Sequence, residues 1–332
     1  SSSARLLKGI VVKMRRGTKI MNNEFDSISR RRMLKCITAT ATALNLSPRI
    51  LMAANQDKIT RKIPLSGEEL AIMGVGSWLT FDVNVNKIPN TEFVQLMQAF
   101  FDMGGQLVDS SPMYGNSETV IGELIERVTN KEAYFAATKV WTNGKQQGIN
   151  QMTSSMAKMG VEVMDLMQIH NLKDWQTHLQ TLNDWKQQGK IRYTGITTSA
   201  GRNHDDLAEI LKNHDFDFVQ FSYNLKNRKA EQTLFPIVRD KGIAVLINEP
   251  YHGGNLFRKV RNQEFLPDWA AEFDCASWGQ FFLKFIGSHP DVTCIIPATS
   301  KVEHMTDNMA AGFGRLPDSE MRQRMIDYME AI

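Results

Sequence analysis

The sequence predicts a single α/β domain over residues 56–332, built as a closed parallel barrel of eight β–α units, a (β/α)8 or TIM barrel. Three observations lead there. From residue 63 onward, eight short runs with strand character alternate with amphipathic stretches. The eight pairs occupy about 250 residues, the usual span of such a barrel. The main alternative, a doubly wound open sheet, lacks its glycine signature. GVGSW at 74–78 has no third glycine and no helix after it.

Taken in order, the strands are expected at 71–76, 106–109, 134–140, 164–169, 193–197, 217–222, 243–248 and 292–297. Ahead of them, IPLSGEEL at 63–70 reads as a short hairpin closing the barrel bottom, with Ser66-Gly67 as its turn. The first helix is expected at 91–104, where Phe93, Leu96, Met97 and Phe100 share one face. The second, at 117–128, has Ser117 as its cap without a full capping box. Further helices are expected at 150–159, 177–188, 204–213, 229–241, 277–287 and 301–311. Gly160, Gly189 and Gly242 fall where three helix ends would need them. The tail at 319–332 reads as one extra helix.

Composition narrows the class. Of 332 residues, 42% are hydrophobic and 23% charged, as in an ordinary globular chain with a sizeable core. The net charge of +3 owes much to the first 62 positions, so the remainder offers no basic surface for nucleic acid. The three cysteines, Cys36, Cys275 and Cys294, have no CxxC spacing, and no metal site is expected. No apolar run reaches the roughly 18 residues of a membrane-spanning helix.

Residues 1–55 read as an N-terminal extension. SRRRMLK at 29–35, a mildly apolar stretch at 37–46 and small residues thereafter resemble a twin-arginine export signal. Arg30 and Arg31 would be the pair presented to the export machinery, with Met33 at the apolar position and cleavage near Ala53 or Ala54. Met21 begins the polar leader of such a signal, which would make residues 1–20 upstream sequence. Export of this kind carries proteins out folded, so the expected location is the periplasm.

Three successive strands end on ionisable side chains. Asp109 closes the apolar pair Leu107-Val108, Lys139 closes the run before Val140, and His170 closes VMDLMQI. Tyr114 lies on the loop five residues after Asp109. In a parallel barrel all strand ends open on one face, so the four can converge. Singly, each has an ordinary reading: a turn aspartate, a packed tyrosine, a solvated lysine, a structural histidine. In order on strands two, three and four, they suit delivery of a proton to a carbonyl oxygen. A phenol with a pKa near 10 is a poor acid at neutral pH. An ammonium at about 4 Å would attract the phenolate by about 4 kcal/mol at an effective dielectric near 20. Asp109 would hold Lys139 charged, and His170 would donate to the carbonyl.

The patterns DSSxxYGxSExxIGxxL (109–124), TKVW (138–141), MQIH (167–170) and IIPATSKVEHMTDN (295–308) resemble the aldo-keto reductase family over roughly residues 60–330. The resemblance implies a barrel that uses a nicotinamide cofactor to reduce aldehydes or ketones. It also implies that Asp109, Tyr114, Lys139 and His170 are the catalytic tetrad. Gly76, Ser77 and Trp78 match the turn near the nicotinamide. Trp78, Trp141 and Phe81 are the expected pocket residues for a modest-sized carbonyl compound.

The chain departs from the family pattern at the cofactor positions. Thr197-Thr198 replace Ser-Asn after strand five, while Gln220 on strand six is retained. After strand seven the run is Asn248-Glu249-Pro250, with Tyr251 next, where the family often has an aromatic to stack on the ring. At the 2′-phosphate end stand Thr299, His304, Asp307 and Asn308, short of two fixed positive charges, with Lys301 nearby. Backbone amides at the start of that helix can still meet a phosphate. By family habit NADP(H) is expected ahead of NAD(H). The competing reading is a cofactor-binding redox sensor or partner-binding module with little turnover.

Overall fold

The computed structural model describes residues 56–90 and 92–332. The expected signal, with Arg30, Arg31, Met33, Ala53 and Ala54, lies outside the described residues, as does Cys36.

Strands β1 (Thr60–Lys62) and β2 (Glu69–Ala71) form the expected antiparallel hairpin. Its turn closes through Gly67 N–H to the Ile63 carbonyl at 2.8 Å, with Gly67 at φ 74°. Eight parallel strands follow: β3 (Val75–Gly76), β4 (Leu107–Asp109), β5 (Phe135–Val140), β6 (Met164–Ile169), β7 (Ile191–Thr197), β8 (Phe218–Ser222), β9 (Ala244–Asn248) and β10 (Cys294–Ile295). Each pairs with its sequence neighbour. Parallel bridges Met73–Ile295 and Gly76–Ala298 join the first strand to the last. The result is a (β/α)8 barrel. The two closing strands are shorter than the sequence suggests; past β10 the seam continues through the Pro297 carbonyl, which accepts from Gly76 N–H at 3.1 Å.

The outer helices are α1 (Glu92–Asp102), α2 (Ser117–Arg127), α3 (Lys145–Met159), α4 (Trp175–Gln187), α5 (His204–Asn213), α6 (Ala230–Thr233), α7 (Phe235–Lys241), α8 (Asn255–Lys259), α9 (Trp278–Gly287), α10 (Val302–Ala310) and α11 (Ser319–Ala331). The short α8 was not expected, and three others differ from the sequence reading. Helix α3 starts five residues early, because Gly144 at φ 84° admits the chain there. The helix expected over 229–241 is two helices, with Pro236 opening the second. Ser117 lies inside α2 rather than capping it, and its hydroxyl reaches the Ser77 carbonyl. The tail helix α11 is capped by Asp318, which accepts from Met321 N–H at 2.9 Å.

Alternation along the strands sorts the side chains. Val108, Ala136, Val140, Met167, Ile169, Ile196, Val219, Phe221, Val245 and Ile247 face outward into the large core under the helices. Leu107, Phe135, Ala137, Leu166, Tyr193, Phe218, Ala244 and Leu246 face inward, and Ile63 and Leu70 of the hairpin plug them from below. Two or four residues further along the same faces come Asp109, Lys139, Gln168, Thr197, Gln220, Ser222 and Asn248. The period of two thus stacks a ring of polar groups on an apolar floor, at the C-terminal ends of the strands.

Candidate active site

Asp109 and Lys139 are the centre of that ring. The Lys139 ammonium donates to Asp109 Oδ2 at 2.6 Å and to the Ser110 carbonyl at 2.7 Å. Burial alone would drive the ammonium toward neutrality, but the Asp109 carboxylate, together with Tyr114 and Glu118, outweighs it and holds the lysine above its ordinary pKa. The other Asp109 oxygen accepts from Gln168 Nε2 at 2.8 Å and Gln220 Nε2 at 3.1 Å. Gln220 in turn accepts from Asn248 Nδ2 at 3.2 Å, and Asn248 accepts from Ser222 at 2.6 Å. One amide network therefore spans the barrel. Gly195 makes room for it: a methyl there would sit 2.8 Å from Gln168 Cγ.

Tyr114 is carried by a tight loop. Its N–H bonds to the Ser111 carbonyl at 2.9 Å, and its own carbonyl accepts from Ser117 N–H at 3.1 Å. Gly115 follows at φ 59°, and Asn116 clamps the loop to Asp82 through two bonds of 2.9 and 3.1 Å. The Lys139 ammonium lies 5.2 Å from the ring centroid. Burial raises the phenol above its ordinary pKa; the lysine charge and a hydrogen bond from it pull the other way without overcoming it. The acidified phenol expected from the sequence is thus a neutral, proton-holding phenol. Desolvation, which spacing along the chain does not reveal, outweighs the cation.

The His170 ring packs edge-on to Tyr114 at 5.7 Å and shares a 2.9 Å hydrogen bond through Nδ1 with Ser111 Oγ. Burial, with Lys139 behind it, lowers its pKa to about 3, so the ring is neutral.

These groups open on a cavity of about 330 Å³. Of the residues expected at the site, Gly76, Ser77, Trp78, Asp109, Tyr114, His170, Thr197, Thr198, Gln220, Asn248 and Pro250 line it. Lys139 lies directly behind, through Asp109. Trp141 stands at the edge, 6.5 Å from the His170 ring and under the Lys173 ammonium. Phe81 is placed differently from the expectation. It is fully buried in the core, edge-on to Phe93 at 5.5 Å, because the loop after β3 turns its aromatic residue inward.

Four expected cofactor residues, Thr299, His304, Asp307 and Asn308, do not line the cavity. Asp307 accepts from Ser277 Oγ at 2.6 Å and Gln280 Nε2 at 2.9 Å, tying α10 to α9. Asn308 accepts from the Tyr251 hydroxyl at 2.5 Å. Both are committed to holding neighbouring elements. Tyr251 itself does line the cavity, as do Met113, Asn171, Arg202 and Glu249, none of which the sequence reading assigned to the site. Gln168 was missed too, although it stands two positions before His170 on one strand face and so had to point the same way.

A scan against family models matches residues 72–325 to the aldo/keto reductase family. The chain belongs to that family. Among curated relatives it is 25% identical over 269 residues to the methylglyoxal reductase YeaE of Escherichia coli, covering 79% of this chain and 92% of that one. It is 24% identical over 246 residues to the NADH-specific methylglyoxal reductase of the same organism, covering 63% and 73%. Solved structures share the fold. An aldo/keto reductase from Klebsiella pneumoniae in complex with NADP and acetate superposes with a TM-score of 0.68 at 20% identity, over 82% of this chain and 96% of that one. The holo form of AKR11C1 from Bacillus halodurans gives 0.68 at 19%, with the same coverage.

Membership implies a nicotinamide cofactor, and the residues present fit its nicotinamide end. Thr198 lines the cavity, and its buried hydroxyl has no hydrogen-bond partner among the described residues. A buried hydroxyl left unpaired is costly, and a carboxamide would supply both donor and acceptor. Among the described residues no cluster of histidine, cysteine, aspartate or glutamate could hold a metal ion, and no helix is long and apolar enough to cross a membrane.

Proposed function

We propose that this chain is a nicotinamide-dependent reductase of short aldehydes or ketones, with Tyr114 as the proton donor. The observation that carries the reading is the buried Asp109–Lys139 pair set behind a neutral tyrosine at the cavity mouth. A bound reduced nicotinamide supplies the hydride for the carbonyl carbon. Thr198, Gln220 and Asn248 would hold its carboxamide, with Gly76, Ser77 and Trp78 against the ring and ribose.

The protein's own part is electrostatic and protonic. The Tyr114 phenol keeps its proton at neutral pH and delivers it as negative charge grows on the carbonyl oxygen. Lys139 stabilises the phenolate so formed, at a site shielded from water where its charge is worth more than in solution. Asp109 keeps that ammonium charged and fixed. His170, being neutral, donates a hydrogen bond without competing as an acid. Trp78 and Met113 cover the cavity rim.

A cavity of about 330 Å³, shared by substrate and nicotinamide, favours a short carbonyl compound. The names of the two E. coli relatives make methylglyoxal the first compound to test. NADPH is the first cofactor to test, by family habit; NADH follows close behind, because the 2′-phosphate end is short of two fixed positive charges, with Lys301 nearby. The test is oxidation of either cofactor, followed by absorbance, with a panel of short aldehydes, dicarbonyls and ketones. Tyr114→Phe should bring turnover down by about 10²- to 10⁴-fold while leaving nucleotide binding, read by tryptophan fluorescence, intact. Equal turnover in the two proteins would remove Tyr114 from the reaction. Nucleotide binding without turnover of any carbonyl would favour a sensor or binding module.

We also propose that the protein is exported folded to the periplasm through Arg30 and Arg31. The sequence pattern alone supports this. Replacing both by lysine should leave the protein in the cytoplasmic fraction; unchanged distribution would reject it.

A further inference from the structure

We propose that Ser111 is a positioning residue that sets the tautomer of His170, its hydroxyl donating to Nδ1 so that Nε2 carries the proton and presents it to the substrate carbonyl. The inference deepens the reductase reading and rests on it for its catalytic consequence.

The argument is one of hydrogen-bond capacity. Ser111 Oγ lies 2.9 Å from His170 Nδ1 and accepts from the Met113 N–H at 3.2 Å. The serine is fully buried, so its hydroxyl proton cannot turn to water. If His170 donated from Nδ1, the serine oxygen would accept twice. Its own proton would then have no acceptor among the described residues, at a cost of about 1–3 kcal/mol. If the serine donates instead, every group in the chain Met113 N–H, Ser111 Oγ, His170 Nδ1 is satisfied. A neutral imidazole has one N–H, and the assignment places it on Nε2. Burial and the nearby Lys139 ammonium keep the ring neutral, so a cation donating from both nitrogens does not arise near neutral pH. No protein group accepts from Nε2 among the described residues, and His170 lines the cavity. The donor is therefore free for a ligand.

Two adjacent serines thus serve two different partners. Ser110 gives its backbone carbonyl to Lys139, and Ser111 gives its side chain to His170. The loop that delivers Tyr114 holds both.

The test is the tautomer itself, read by ¹H–¹⁵N correlation of the histidine ring in the full chain near neutral pH, beside steady-state kinetics. In the wild type the His170 signals should show a protonated Nε2 and an unprotonated Nδ1. Ser111→Ala should shift the ring toward the Nδ1–H form or a mixture. It should also lower kcat by about 10- to 100-fold, the usual cost of losing an orienting partner, with a smaller change in KM. Ser111→Thr, which keeps the hydroxyl, should restore both readouts. A wild-type ring protonated at Nδ1 would overturn the proposal. So would a Ser111→Ala protein with an unchanged tautomer, whatever its activity, since that loss would come from the Met113 contact and the loop. Should the wild type reduce no carbonyl at all, the tautomer measurement still decides the role of Ser111, and only the reductase reading fails.

Discussion

The Lys139 ammonium lies 2.6 Å from Asp109 Oδ2, with the two side chains 0% and 3% exposed. Two charges so deeply buried stay charged only because each has the other and further donors or acceptors around it. Removing one leaves the other uncompensated, which typically costs about 3–5 kcal/mol. Asp109→Asn should therefore lower the urea midpoint markedly and reduce turnover. The double change Asp109→Asn with Lys139→Met should be more stable than the single one. A single variant as stable as the wild type would show that water reaches the pair.

Thr198 offers the opposite case, a buried hydroxyl with no partner among the described residues. Thr198→Val keeps the shape and removes the orphan. The free protein should be as stable as the wild type or slightly more so by thermal melting. Nicotinamide nucleotide should bind about 2- to 10-fold more weakly by fluorescence titration, the worth of one hydrogen bond. Unaltered binding would take the hydroxyl out of the cofactor site.

Gly195 faces Gln168 across the β6–β7 pair, and an added methyl would meet Gln168 Cγ at 2.8 Å. Gly195→Ala should destabilise the barrel by about 1–3 kcal/mol by overpacking. It should also slow turnover through Gln168 and Asp109, although residue 195 itself touches neither substrate nor cofactor. Chemical denaturation and kcat on the same sample check both.

His289 stacks on Phe235 at 3.7 Å, and burial, reinforced by Arg322, lowers its pKa to about 4. The unfolded chain would protonate it near 6.5. Because the unfolded state binds the proton more readily, stability is fully present above that value. It falls as pH drops from about 6.5 toward 4, where the folded ring also charges. The loss assigned to this group is about 3 kcal/mol at most. Denaturation of wild type and His289→Asn at pH 7, 6, 5 and 4 should show the gap between them narrowing with acid. A constant gap would mean that the ring titrates normally.

The barrel and its polar ring were legible because both follow from a period of two. Once Leu107 and Phe135 face inward, Asp109 and Lys139 must as well, and the strand ends bring them together. Tyr114 was legible because it lies on the loop five residues after Asp109, at the end of the same strand. Contacts between separate loops left no such mark. Nothing in the spacing of Tyr251 and Asn308, 57 residues apart, announces their hydrogen bond, and nothing in Asp307 foretells its engagement with Ser277 and Gln280. Phe81 was misplaced for a similar reason: one aromatic residue in a loop carries no periodicity to say which way it turns. The direction of the Tyr114 pKa required knowing how dry the site is, which only packing reveals.

The hairpin of β1 and β2 has a kinetic corollary. With Ile63 and Leu70 corking the lower end, the described residues leave the proposed active site open at the C-terminal ends of the strands. Were a nucleotide and a carbonyl compound to share that opening as proposed, the one seated deeper would have to arrive first and depart last, and initial-rate kinetics would show an ordered sequence.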